Sequence, residues 1–137
     1  MRSKSSRLAA YHDGDKTAVA GGTDTVAENG CAWVATDGAA LARAWVFSSA
    51  VDRSLARAAL KDARGEQGCH LVRSPAFGSP SLTQVCSTNG SVRVRHAGLF
   101  GSTWLSCEVS DQATAAEVRR RADAWCVQIA NTLNTSR

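Results

Sequence analysis

A β-hairpin is predicted by LTQVCSTNGSVRVRH, residues 82–96, in which Asn89-Gly90 separates two runs of β-prone residues. A type I′ turn needs a positive φ at both central positions, and Asn and Gly tolerate that conformation. A two-residue turn also fixes the strand register, so Val85 should lie opposite Val94. We expect this valine pair to face the core of the protein.

Further elements are predicted on both sides of the hairpin. Ser49 is a suitable N-cap for a helix over residues 50–64, which should end near Gly65. A second helix should begin at Ser110 or Asp111, because apolar residues then recur at helical spacing. Alternating or β-prone runs predict four more strands, at residues 31–35, 42–48, 69–73 and 103–109.

This order, β-β-α-β-β-β-β-α, is typical of the α+β class. The simplest arrangement is a two-layer sandwich, with a mostly antiparallel sheet and both helices on one face. The 137 residues suit one domain, with 44% hydrophobic residues. Residues 1–28 are polar and rich in breakers, so we expect a flexible tail or tether there and a single globular domain over residues 29–137.

Five cysteines are distributed without a Cys-x-x-Cys pair, which disfavours structural zinc. The alternatives are buried thiols and disulfides, and disulfides would indicate an oxidising compartment. Cys86 should lie opposite Arg93 on the outer face of the hairpin, where a bridge to Cys69 suits it. Cys107 should point inward from its strand toward Cys126 on the following helix. Cys31 is left without an assigned role.

The net charge of +4 allows a polyanionic partner, but the basic residues are scattered along the chain. Arg93 and Arg95 on an open sheet face would suit an intracellular nucleic-acid-binding protein, which is the alternative hypothesis. Proteins that bind single-stranded nucleic acid on a sheet also need aromatic side chains on that face for stacking with the bases. Nucleic acid is therefore the less favoured partner.

Enzymatic activity is not predicted, because no nucleophile elbow or phosphate-binding loop is present. A hydrolase is the third and least favoured hypothesis. We assign no catalytic residue, metal ligand or cofactor. Trp104 is out of phase with the inward residues of its strand. Together with Phe77 and Phe100 at neighbouring loop ends, it would form an exposed apolar patch, which we interpret as a candidate binding surface.

The Cys31-x-Trp33 strand, the strand-helix step after it, the Asn-Gly hairpin and the closing helix with Trp125-Cys126 resemble a group of small actinobacterial cell-envelope lipoproteins of unknown function. The likeness covers residues 29–134 and includes an Ala- and Arg-rich, Lys-poor composition. It implies an extracytoplasmic domain with a related sandwich. The sequence lacks the lipid-bearing cysteine of such proteins near their mature start, and the resemblance supplies no activity.

These observations favour a non-catalytic binding, sensing or accessory domain outside the cytoplasm, acting on an unknown envelope component or small ligand. Residues 1–7 are basic and Ser-rich, but no apolar segment follows them. Either the protein is cytosolic, or a leader or anchor has been removed upstream of Met1, and the cysteines favour the second alternative. No stretch of the sequence is apolar enough over a sufficient length to span a membrane.

Overall fold

The computed structural model describes residues 6–19, 24–35, 40–47, 50–73 and 77–135. Seven described strands form one antiparallel sheet in the order β1-β2-β3-β7-β6-β5-β4. The elements, in chain order, are β1 (Ser6–Val19), β2 (Asp24–Ala35), β3 (Ala40–Phe47), α1 (Arg53–Arg64), β4 (Cys69–Val72), β5 (Ser81–Thr88), β6 (Ser91–Phe100), β7 (Thr103–Asp111) and α2 (Ala115–Thr135).

The α+β class is confirmed, and from β2 onward the elements follow the predicted order. The central hairpin, β5 and β6, has the predicted register, with Val85 opposite Val94 and Cys86 opposite Arg93. Its turn has φ angles of 51° at Asn89 and 79° at Gly90, the positive values that a type I′ turn requires.

The placement of both helices on one face is wrong. Gln84 donates a hydrogen bond to the Ala63 carbonyl of α1, whereas its neighbour Thr83 bonds His96, which in turn bonds Asp123 of α2. Adjacent strand residues point to opposite faces, so the helices cover opposite sides of the sheet. The reason lies in β5 to β7, which carry apolar residues in both phases and therefore need cover on both faces.

Apolar clusters fill both of these layers. Beneath α1, Leu82, Ala97, Leu99 and Trp104 pack with Ala56 and Ala63 of the helix. Beneath α2, the sheet contributes Val85, Val94 and Val109, which pack with Val118 and Ala122. The valine pair at the centre of the hairpin therefore meets the core as predicted.

The first helix begins later than the sequence indicated. Asp52 is its N-cap, and the Asp52 side chain accepts a hydrogen bond from the Leu55 backbone N–H at 2.8 Å. Ser49, the predicted cap, lies outside the described residues. Gly65 is the C-cap, so the predicted end of the helix is confirmed.

The predicted tail overlaps the first two strands. β1 and β2 pair from Ser6 opposite Ala35 to Val19 opposite Asp24, and β2 continues the sheet into β3. The predicted domain start at residue 29 therefore falls inside β2. Residues 1–5 and 20–23 lie outside the described residues, and a flexible tether stays a prediction.

Both proposed disulfides are present. Cys69 and Cys86 bridge paired positions of β4 and β5, while Cys107 and Cys126 join β7 to α2. Cys31 belongs to neither bridge. The two bridges indicate an oxidising environment for the protein.

Candidate functional site

A groove of about 490 Å³ lies where the β4–β5 edge of the sheet meets the N-terminal half of α2. Val72 and Val85 provide apolar surface from the sheet, and Ala116 provides it from the helix. His70 lines the groove from β4, which is an edge strand of the sheet. The groove thus combines an apolar sheet surface with an ionisable side chain at the edge.

Two arginines on α2 also line the groove, and each has a partner. The Arg119 guanidinium donates a 2.6 Å hydrogen bond to the Arg73 carbonyl just after β4, which ties the helix to the sheet edge. Arg120 donates to Glu117 at 2.6 Å. This hydrogen bond lowers the pKa of Glu117, so the carboxylate stays ionised. The two guanidiniums place positively charged hydrogen-bond donors on this wall of the groove.

A buried polar chain connects the groove to the sheet. Thr83 Oγ1 and His96 Nδ1 lie 2.7 Å apart, and His96 Nε2 lies 2.7 Å from Asp123 Oδ1. An ionised Asp123 accepts from the Nε2–H of His96, which leaves Nδ1 to accept from the Thr83 hydroxyl. Asp123 lines the groove and keeps 40% of its side-chain surface exposed, whereas His96 keeps 1%.

Burial lowers the pKa of His96, because desolvation disfavours the charged imidazolium. The hydrogen bond and the charge of Asp123 act in the opposite direction but are smaller effects, while the charge of Arg119 lowers the pKa further. His96 is therefore a neutral side chain near pH 7 and keeps one donor and one acceptor nitrogen for its two partners.

Thr83, His96 and Asp123 are the residue types of a hydroxyl-histidine-carboxylate triad, but their burial argues against that chemistry. A nucleophile must reach the substrate, and the Thr83 hydroxyl belongs to a residue that is 0% exposed beneath α2. We interpret the chain of hydrogen bonds as structural support that holds Asp123 at the groove wall.

A second polar cluster lies on the α1 face of the sheet. Arg93 contacts the carboxylates of Glu66 at 3.4 Å and Glu108 at 3.5 Å, and Arg43 contacts Glu108 at 3.5 Å. Arg93 was predicted to project into water from an open face. Because α1 and its following loop cover that face, the guanidinium is half-buried among acidic partners.

The Cys69–Cys86 bridge completes this cluster. The atoms of Glu66, Cys69 and Cys86 that could ligate a metal lie within 4.8 Å of one another. Metal binding needs cysteine thiolates, and both sulfurs are committed to the disulfide. We therefore interpret the cluster as the Cys69–Cys86 disulfide beside the Arg93–Glu66 ion pair, and not as a metal site.

The predicted apolar patch does not form. Phe77 and Trp104 are each only 3% exposed. Trp104 packs with Phe47 beneath α1, whereas Phe77 contacts Phe100 edge-on in the layer of α2. The sheet separates the tryptophan from the two phenylalanines, because positions 100 and 104 lie in opposite phases across the β6–β7 turn. The expectation failed because it assumed that one face of the sheet was open.

Neither the groove nor the polar chain beside it was identified from the sequence. The hairpin register already places Thr83 opposite His96, so that contact could have been derived. Asp123 follows Ala122, one of the apolar residues that α2 packs against the sheet. Only this packing shows that the Asp123 carboxylate reaches His96. The hydrogen bond from Arg119 to the Arg73 carbonyl likewise joins distant parts of the chain, so local sequence patterns do not predict it.

No protein-family model matches the sequence, and the searches of curated proteins and of solved structures gave no significant match either. In the part of the chain that the structure describes, no helix is both long and apolar enough to cross a membrane.

Proposed function

We propose that this chain is a non-catalytic binding domain of the cell envelope, working outside the cytoplasm, and that the groove under α2 is its ligand site. The two disulfides support the compartment, because such bridges persist in oxidising surroundings. The resemblance of residues 29–134 to envelope lipoproteins supports the same location. The groove, with its apolar floor and charged wall, is the observation that supports ligand binding.

The composition of the groove indicates the chemical class of the ligand. Arg119 and Arg120 offer charge-assisted hydrogen bonds to a carboxylate or another oxyanion. Val72 and Val85 suit an apolar body lying along the sheet. Asp123 would repel a second negative charge at the wall. We infer a small amphipathic molecule with one anionic head.

The hypothesis of an intracellular nucleic-acid-binding protein is less well supported. It relied on Arg93 and Arg95 on an open sheet surface and on reduced cysteines. Arg93 instead pairs with Glu66 and Glu108 beside a disulfide. That arrangement engages one of the two cations on which the nucleic-acid hypothesis depended.

Octanoate and octylamine test the groove, since they share an apolar chain and differ in the sign of the head group. In two-dimensional amide NMR spectra of the full chain, we expect octanoate to shift signals around His70, Val85 and Arg119. Octylamine should leave those signals in place. Equal shifts from both compounds, or shifts spread over the α1 face, would contradict the proposal.

A matched pair of variants locates the anion contact. Arg119→Gln/Arg120→Gln should weaken octanoate binding about tenfold or more, because charged hydrogen bonds are lost. Arg57→Gln/Arg64→Gln removes the same charge from exposed positions on α1 and should keep the affinity. Loss of affinity in both double variants would indicate attraction by net charge alone.

A further inference from the structure

The two disulfides of the protein differ in their access to solvent. Cys107 and Cys126 are both 0% exposed and lie between β7 and α2. Cys69 is half-buried on β4, an edge strand of the sheet, and its partner Cys86 is 6% exposed. Of these four cysteines, Cys69 is therefore the one that a thiol from solution approaches most readily.

Charged neighbours make the two sulfurs of that bridge unequal. The Arg93 guanidinium lies 3.2 Å from Cys86 Sγ and 3.9 Å from Cys69 Sγ. The Glu66 carboxylate lies 3.5 Å from Cys69 Sγ. A cationic neighbour stabilises a thiolate, and an anionic neighbour disfavours one. Negative charge released from this disulfide is therefore favoured on Cys86.

We propose that Cys69–Cys86 is a thiol-exchange site, with Cys69 as the attacked sulfur and Cys86 as the leaving thiolate. Its reaction partner is a dithiol on a protein or small molecule. This activity is separate from ligand binding in the groove, because the bridge and the groove lie on opposite faces of the sheet. Arg93 acts as a positioning and charge-stabilising residue.

The reaction balances with the dithiol as the reductant. A partner thiolate attacks Cys69 Sγ, the Cys69–Cys86 bond breaks, and its electron pair leaves on Cys86 Sγ. The partner is then joined to Cys69 in a mixed disulfide. The partner's second thiolate then attacks the partner's first sulfur in this mixed disulfide, and Cys69 leaves as a thiolate. The partner becomes a disulfide, and its two protons and two electrons convert the bridge into two thiols.

A metal site built from the reduced cysteines and Glu66 is a weaker interpretation of the same cluster. A divalent cation at Cys86 would lie beside the Arg93 guanidinium, which is 3.2 Å from the sulfur. The same positive charge that opposes a cation favours a thiolate. The electrostatics of the cluster therefore support sulfur exchange.

Reduction of the folded, full-length protein tests the site. The oxidised chain is incubated with dithiothreitol, quenched with acid and alkylated, and each cysteine is quantified by mass spectrometry. We expect Cys69–Cys86 to open at least about tenfold faster than Cys107–Cys126, since accessible disulfides exchange faster. With limiting glutathione, the adduct should form on Cys69. Simultaneous opening of both bridges, or an adduct mainly on Cys86, would overturn the proposal.

Variants then test the role of Arg93. Arg93→Gln should slow the opening of Cys69–Cys86 about tenfold, because the leaving thiolate loses its cation. Arg93→Lys should retain most of the rate, and Arg57→Gln, at an exposed position on α1, should retain all of it. The buried bridge monitors unfolding in the same sample. A variant that merely loosened the fold would open both bridges faster, and an unchanged rate in Arg93→Gln would refute the assigned role.

Discussion

His96 is the most deeply buried ionisable side chain of the α2 layer, with 1% of its surface exposed. Thr83 and Asp123 satisfy its two ring nitrogens at 2.7 Å each. A buried polar group costs free energy unless its hydrogen bonds are complete, so the three residues stabilise the fold as one unit. The unit also fixes the position of a groove-lining carboxylate.

The lowered pKa of His96 predicts how stability depends on pH. The unfolded chain takes up a proton near the ordinary histidine pKa of 6.5, whereas the folded protein takes it up only at lower pH. Between those values the unfolded state binds more protons, so the free energy of unfolding falls as the pH falls below about 6.5. Urea unfolding at pH 7.5 and 5.5 measures this change.

His96→Gln should reduce the loss of stability between those two pH values, because the group with the lowered pKa is gone. His70→Gln removes an exposed histidine from β4 and should leave the loss as it is in the parent protein. An identical pH dependence in all three proteins would show that other groups control acid stability.

At the scale of elements, the β5–β6 hairpin depends on its turn. Gly90 has a φ of 79°, and an added Cβ there would meet nothing within 4 Å. The cost of Gly90→Ala is therefore conformational, about 1–2 kcal/mol for an L-residue in the left-handed region. We expect that loss in the free energy of unfolding measured with urea.

Gly65 at the end of α1 provides the matched control. Its φ is −87°, a conformation open to every L-residue, and the nearest atom to an added Cβ is the Asp62 carbonyl at 3.8 Å. Gly65→Ala should be neutral or stabilise the fold by up to about 1 kcal/mol, because alanine lowers the conformational entropy of the unfolded chain. Equal losses at both positions would contradict a specific need for positive φ in the hairpin.

For the whole molecule, the Cys107–Cys126 bridge joins the sheet to the α2 layer across 19 residues of sequence. Replacing both cysteines by alanine should lower the free energy of unfolding by about 3 kcal/mol in the chain-entropy model. The vacated space between β7 and α2 should add to the loss. Unfolding in guanidinium chloride gives the value.

The double variant Cys69→Ala/Cys86→Ala provides the comparison, because its bridge spans a similar separation of 17 residues. Its loss should be smaller, since Cys69 is only half-buried on an edge strand. The opposite ranking would show that the edge bridge, rather than the one between layers, dominates the stability of the fold.

Local sequence signals were sufficient for most of the sheet and for both disulfides. Asn89-Gly90 fixed the register of Cys86, and the strand phase of Cys107 indicated its link to the following helix. The distribution of the helices was not predictable in this way. Both phases of β5 to β7 contain apolar or small residues, and the sequence does not state which helix covers which phase.

The same ambiguity accounts for the errors at the candidate sites. Trp104 appeared exposed because it lay out of phase with Leu105, although α1 covers that phase. Arg93 appeared solvated for the same reason. Asp123 and His96 meet only after α2 is packed on the sheet, so a contact between residues 27 positions apart could not be inferred from local patterns.

β4 has only four residues, and it serves both surfaces of the sheet. Cys69 opposes Cys86 on the α1 side, while the next residue, His70, borders the groove on the other. The bridge on one face and the groove on the other are therefore adjacent through the peptide unit that joins Cys69 to His70. Thermodynamic reciprocity requires that, if a ligand prefers the bridged form, the bridge is harder to open in the liganded protein by the same factor.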